Sequence, residues 1–195
     1  METSLASLEV LVSTLPRPDL IQKLSRLLLK CRKERNLAYA RRLYDFTCRH
    51  QLDSDASLGN FLVPLLAHVG LISDAHQVFN KLVRPNDCTW NFLIIAYAKC
   101  GNLNLALILY EQMVEDCAQP NVGAFIALLK ACSKMQNGEK GLELHAEICR
   151  KGLDRDPFIL SILVDMYAKC NFLEKAQEVF DNSPSQDVVM WTTLI

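Results

Sequence analysis

The feature that most constrains this chain is internal repetition. Ala96-Tyr97-Ala98-Lys99-Cys100-Gly101 returns further along as Met166-Tyr167-Ala168-Lys169-Cys170-Asn171, and Leu52-Asp53-Ser54-Asp55 returns as Leu153-Asp154-Arg155-Asp156. One set of units satisfies both shifts: 21–55, 56–86, 87–121, 122–156 and 157–187, with a sixth opening at 188 and followed to 195. The columns align. The seventh residue is Leu27, Leu62, Leu93, Leu128, Leu163 and Leu194, and the eighth is Leu28, Val63, Ile94, Leu129, Val164 and Ile195. The twentieth is small in every complete unit (Ala40, Ala75, Ala106, Gly141, Ala176) and the twenty-third is aliphatic (Leu43, Val78, Leu109, Leu144, Val179). The twenty-fourth is Tyr44, Phe79, Tyr110, His145 or Phe180.

Each unit has the pattern of two helices. In the third, Trp90, Leu93, Ile94 and Tyr97 fall on one helical face. Gly101-Asn102 breaks that helix, and Leu103, Ala106, Leu107, Tyr110, Met113 and Val114 start the pattern again. One hairpin cannot bury its apolar stripe, but a stack of hairpins can. The expected fold is all-α: an α-solenoid, a right-handed superhelix of stacked, TPR-like helix-turn-helix repeats.

With half of the residues hydrophobic and only 7 Gly and 7 Pro, the composition suits such a helical core. No apolar run reaches the roughly 20 residues of a membrane span. The eight cysteines form no CxxC pair. Cys31 and Cys132, Cys48 and Cys149, and Cys100 and Cys170 are repeat equivalents, which marks them as small hydrophobes rather than metal ligands. Residues 1–20 form a leader and a candidate targeting segment, although Glu2 and Glu9 are unlike the acid-poor composition of a transit peptide.

Asp87-Cys88-Thr89-Trp90-Asn91-Phe92-Leu93-Ile94 and Val188-Val189-Met190-Trp191-Thr192-Thr193-Leu194-Ile195 resemble the opening of a pentatricopeptide repeat. Tyr97-Ala98-Lys99-Cys100-Gly101 and Ala176-Gln177-Glu178-Val179-Phe180-Asp181 resemble its middle and second helix. The Trp-Leu-Gly-Tyr framework of tetratricopeptide repeats is not seen. The alternation of longer and shorter units resembles the plant PLS subclass: 21–55 as L, 56–86 as S, 87–121 as P, 122–156 as L, 157–187 as S and 188–195 as a partial P.

The resemblance implies binding of single-stranded RNA, about one base per repeat, selected by the fifth and last residues of each unit. The implied base readers are Ser25 with Asp55, Asn60 with Asn86, Asn91 with Asn121, and Ser161 with Asp187; Thr192 is the fifth residue of the partial unit. Asn with Asn resembles a pyrimidine-selecting pair and Ser with Asp a guanine-selecting pair. Ile126, paired with Asp156, has no group to hydrogen-bond a base, so its unit is silent. Units two to five then read pyrimidine, pyrimidine, any base, guanine. The plainer alternative for these Asn, Ser and Asp residues is helix capping.

Lys+Arg 21 against Asp+Glu 22 is no basic excess, so the arrangement of the cations matters more than their number. The thirteenth residue is Lys33, His68, Lys99, Lys134 or Lys169, one equivalent position per unit. The four lysines are the expected phosphate contacts, and a solvated face is the plainer alternative. The resemblance also implies that the second residue of a unit flanks the bound base. Cys88, Phe158 and Val189 suit that role, whereas Gln22, Ser57 and Gly123 depart from it. Pro64 is expected to bend the helix beside Asn60, because its ring crowds the carbonyl four residues back.

His145-Ala146-Glu147 matches the first half of a zinc-deaminase signature, but the P-C-x-x-C half is missing and His145 lies in the aromatic column. No enzyme activity and no cofactor are expected. The resemblance implies a specificity factor for RNA processing or for C-to-U editing of organelle transcripts, in chloroplast or mitochondrion. Editing-complex proteins would be its further partners, with no membrane association. The alternative from another class is a helical-repeat scaffold for protein–protein interaction.

Overall fold

The computed structural model describes residues 5–183 and 191–192. Eleven helices are found among them: α1 (Leu5–Thr14), α2 (Arg17–Glu34), α3 (Leu37–Arg49), α4 (Ala56–His68), α5 (Ile72–Lys81), α6 (Asp87–Lys99), α7 (Leu103–Glu115), α8 (Val122–Met135), α9 (Gly138–Arg150), α10 (Pro157–Lys169) and α11 (Leu173–Asp181). No described residue is in a strand. The contacts divide the chain into two compact units, residues 1–96 and 97–195.

In the first unit α2 pairs with α3 and α4 with α5, while α2 packs directly on α4. In the second, α8 pairs with α9 and α10 with α11, α8 packs on α10, and α7 packs on α8. Within each unit the first helix of one hairpin therefore lies against the first helix of the next. The repeat columns explain this. Leu62, Val63, Leu93, Ile94, Leu128, Leu129, Leu163 and Val164 are completely buried. Ala40, Ala75, Ala106 and Ala176 are also completely buried, and a larger side chain there would hold the second helix away. Leu194 and Ile195 lie outside the described residues.

The helix ends follow one rule. The fifteenth residue of every complete unit has a positive φ: Arg35 (51°), Gly70 (88°), Gly101 (82°), Gln136 (54°) and Asn171 (63°). After it the chain turns back, with the next N–H reaching the carbonyl five residues earlier: Leu71 to Leu66, Asn102 to Tyr97, Asn137 to Cys132 and Phe172 to Tyr167. The three longer units have a second left-handed residue at position thirty-one: Gln51 (52°), Cys117 (57°) and Gly152 (68°). Each begins a connector that the shorter units lack, which is the physical basis of the length alternation. Asn36, Asn102 and Asn137 then start the second helices by accepting from Tyr39, Leu105 and Lys140 N–H.

The leader region is folded as far as it is described. In α1, Leu8 is buried, and Glu9 contacts Arg49 at the end of α3 and His50 just after it, each at 3.0 Å. α2 begins at Arg17, four residues ahead of the unit boundary taken from the columns. α4 continues through Pro64 to His68. Pro64 is buried, and the donor it lacks is the one the Asn60 carbonyl would otherwise receive.

His145 fills its aromatic column with its Nδ1 2.9 Å from the Tyr167 hydroxyl. Burial first, then the nearby Lys175, holds its pKa below the ordinary 6.5, with Glu178 and Asp154 opposing. Burial lowers His76 as well. The folded state therefore prefers neutral imidazoles, and the unfolded chain binds more protons as pH falls through 6.5. Stability is expected to be full above that pH and to decline below it. His145→Phe should flatten part of the slope and leave the His76 part. Denaturant midpoints of both proteins between about pH 7.5 and 5.5, the range in which imidazoles titrate, would check this.

Candidate functional site

The proposed base readers fall at two structural positions. The last residue of a unit caps the next first helix. Asp55 accepts from Ser57 and Leu58 N–H, Asn121 from Ala124 N–H, and Asp156 from Phe158 and Ile159 N–H. Asn86 accepts from Thr89 N–H at 2.9 Å. The fifth residue lies one turn inside that helix and donates to the carbonyl four residues back: Ser25 to Ile21 at 2.8 Å, Asn60 to Ala56 at 2.8 Å and Asn91 to Asp87 at 2.7 Å. Capping is thus a role the last residues do have, while the fifth residues bond back within the helix, and a base contact would be made in addition to these bonds.

Their exposure differs. Asn86 and Asn121 are exposed, and Asp55 and Asn60 half-buried. Ser25, Asn91 and Ser161 are 9%, 2% and 6% exposed, so each presents only an edge to solvent. Thr192 is exposed, and Asp187 lies outside the described residues.

The fullest assembly is in the second repeat, within the first of the two compact units. Asn60 Oδ1 accepts from Asn86 N–H at 3.1 Å and from the Thr89 hydroxyl at 2.6 Å. That hydroxyl is also 2.9 Å from Asn86 Oδ1. A fifth residue and a last residue are thereby joined through Thr89, which is itself completely buried. The pair opens into a hollow of about 460 Å³ lined by Leu29, Arg32, Ser57, Asn60, Phe61, Asn86 and Cys88. Its lining sets the apolar Leu29 and Phe61 beside two amides, the Ser57 hydroxyl and the Arg32 guanidinium, an arrangement suited to a flat heteroaromatic ring with donors and acceptors on its edge.

The flanking positions are open. Cys88 is exposed where it lines this hollow, and in the second compact unit Phe158 is 60% exposed with Lys130 Nζ 5.9 Å from its ring centroid. Gln22, Ser57 and Gly123 are exposed too, and Val189 lies outside the described residues.

Lys33, Lys99, Lys134 and Lys169 are all exposed, and each falls in the last turn of a first helix. That placement also suits the negative end of the helix dipole. Among the described residues no carboxylate pairs with Lys33, Lys99 or Lys134, whereas Lys169 is 2.8 Å from Asp165. Three of the four lysines therefore have their charge available to a ligand. Among the described residues no group of three or more His, Cys, Asp and Glu is placed to hold a metal ion, and no helix is long and apolar enough to cross a membrane.

Thr89, Arg32 and Lys130 escaped the sequence reading. A repeat register finds residues that recur. The equivalents of Arg32 are Ala67, Ala98, Ser133 and Ala168, so no column marks it.

Comparison with known proteins gives a consistent result. The profile of the PPR repeat family matches residues 85–134, and that of the PPR repeat matches 124–153 and 158–185. The pentatricopeptide repeat-containing protein At5g27110 of Arabidopsis thaliana is 33% identical over 88% of this chain, which spans 25% of that protein. The chloroplastic protein At4g25270 of the same plant is 33% identical over 87% of this chain, which spans 32% of it. The chain thus covers a quarter to a third of these relatives. Among solved structures, maize PPR10 superposes with a TM-score of 0.72 at 17% identity, covering 97% of this chain and 28% of that one. The PPR domain of Arabidopsis thaliana PRORP1, in complex with tRNA, also gives 0.72, at 16% identity, covering 89% of this chain and 95% of that one. These likenesses show the fold, an α-solenoid of helical hairpins. Together with the repeat columns and the profile matches, they establish that the chain belongs to the pentatricopeptide repeat family.

Proposed function

We propose that this chain binds single-stranded RNA, reading bases with the fifth and last residues of its repeats and following the phosphates with its lysine column. The observation that carries this is the hollow in which Asn60 and Asn86 meet beneath an open Cys88. A base edge needs both donors and acceptors, and amides supply them. Solved relatives of the same fold support the reading: maize PPR10 is known in complex with an 18-nucleotide psaJ RNA element, at 18% identity to this chain.

The finer proposal is a non-catalytic specificity factor of the PLS subclass, acting in C-to-U editing of organelle transcripts with editing-complex proteins as partners. The alternating unit lengths, each longer unit having its own left-handed connector, support the subclass. The names of chloroplastic and mitochondrial relatives support an organelle.

Units two and three both pair Asn with Asn, so pyrimidines should be preferred there. Single-stranded (rU)10 is expected to bind several-fold tighter than (rA)10. Asn60→Ala combined with Asn91→Ala should narrow that gap. Equal binding of the two oligomers, or a purine preference, would refute the assignment.

A further inference from the structure

The hollow of the second repeat contains a cation that the base-reading scheme does not use. Arg32, on α2, is half-buried, and its guanidinium carbon is 5.2 Å from the centroid of the Phe92 ring on α6. It shares the hollow with Asn60 and Asn86. Among the described residues no carboxylate pairs with it, and it is more covered than Arg26 and Lys30 on the same helix, which are exposed. A half-covered guanidinium without an anionic partner is an anion site waiting to be filled.

We propose that Arg32 binds the phosphate of the nucleotide whose base meets Asn60 and Asn86. This rests on the RNA-binding reading and adds a contact outside the lysine column. Three points favour phosphate over the base itself. The guanidinium carries donors only, whereas the amides already offer the mixed donors and acceptors that a base edge requires. The guanidinium already has an aromatic partner in the Phe92 ring, its carbon 5.2 Å from the centroid, so the group is held in the lining of the hollow and need not stack on the base to be satisfied. A planar fork of N–H groups also matches two phosphate oxygens at once, which an ammonium cannot do. Leu29 and Phe61 supply the apolar wall for the base, leaving Arg32 to the backbone.

The test is a titration of the whole chain with (rU)10 at several salt concentrations, using wild type, Arg32→Gln, Arg32→Lys and, as a control on the exposed side of α3, Arg41→Gln. Circular dichroism would confirm that each variant folds. Arg32→Gln is expected to weaken binding about tenfold, the scale of a lost charge-assisted hydrogen bond. It should also lower the magnitude of the salt slope by about 0.7, one phosphate contact on a single strand. Arg32→Lys should keep the slope while losing part of the affinity, and Arg41→Gln should match wild type. If wild type binds and Arg32→Gln keeps both its affinity and its slope, the proposal is overturned while RNA binding stands. Weaker binding with an unchanged slope overturns it too, since that is the mark of a packing role. If folded wild type binds no RNA, the RNA-binding reading fails and this inference falls with it.

Discussion

Phe125→Ala is expected to destabilise the chain by about 3–5 kcal/mol, the range for emptying a fully buried aromatic site. Phe125 has no exposed surface, and its ring lies 6.1 Å from that of Tyr110 in an edge-to-face arrangement. It is on α8, which packs against α7, α9 and α10, so the cavity would face several helices that cannot all close on it. In a repeat stack each hairpin is stabilised largely by its neighbours, so a loss there should spread along the second unit. A loss of this size is a large fraction of the roughly 5–15 kcal/mol that holds a typical domain folded. Denaturant unfolding followed by circular dichroism would measure it, with Ile108→Ala as the comparison. Ile108 is 48% exposed, and its truncation should cost well under half as much. A Phe125→Ala cost below about 1 kcal/mol would mean that the stacked core is not what stabilises the second unit.

The second large effect is electrostatic. Lys99→Glu, Lys134→Glu and Lys169→Glu together are expected to lower the affinity for single-stranded RNA at least a hundredfold at low salt, with little change in stability because all three side chains are exposed. Each substitution removes an attraction to phosphate and adds a repulsion. The contributions should not be equal. Lys169 is already held by Asp165, so Lys169→Glu alone should do least, while Lys99 and Lys134 have no carboxylate partner among the described residues. Single and triple variants titrated at one low salt concentration would resolve this order. Equal affinity of wild type and the triple variant would reduce the lysine column to a helix-end preference.

Much of the fold could be read from the sequence because the columns report burial. Leu128, Leu163, Ala106 and Ala176 recur in register, and each is buried in the structure. The turns were less legible. Gly70 and Gly101 announce a left-handed residue, but Arg35 and Gln136 take the same conformation without the composition that signals it. At those two positions the hairpin imposes the turn on residues that would not choose it. The helix ahead of the repeats was harder still. Leu8 and Glu9 have no repeat equivalents, and only the structure shows them against the first hairpin.

At the candidate site, register identified Asn60 and Asn86 but not how they are linked. Thr89, the hydroxyl that joins them, comes from a third position with no requirement to recur. Arg32 and Phe92 lie far apart in sequence and meet only because α2, α4 and α6 bring their faces together around one hollow. Exposure was also beyond the sequence. Asn60 and Asn91 occupy the same column, yet Asn60 is half-buried and Asn91 only 2% exposed.

The most direct measurement is a titration of the folded wild-type chain with (rU)10, alone and annealed to its complement, at about 50 and 200 mM salt, the range over which phosphate contacts show their salt dependence. Binding to the single strand that weakens as salt rises, and that is lost when the strand is paired, is the predicted result. Folded protein that binds neither form, or that binds the duplex as tightly as the single strand, would contradict it.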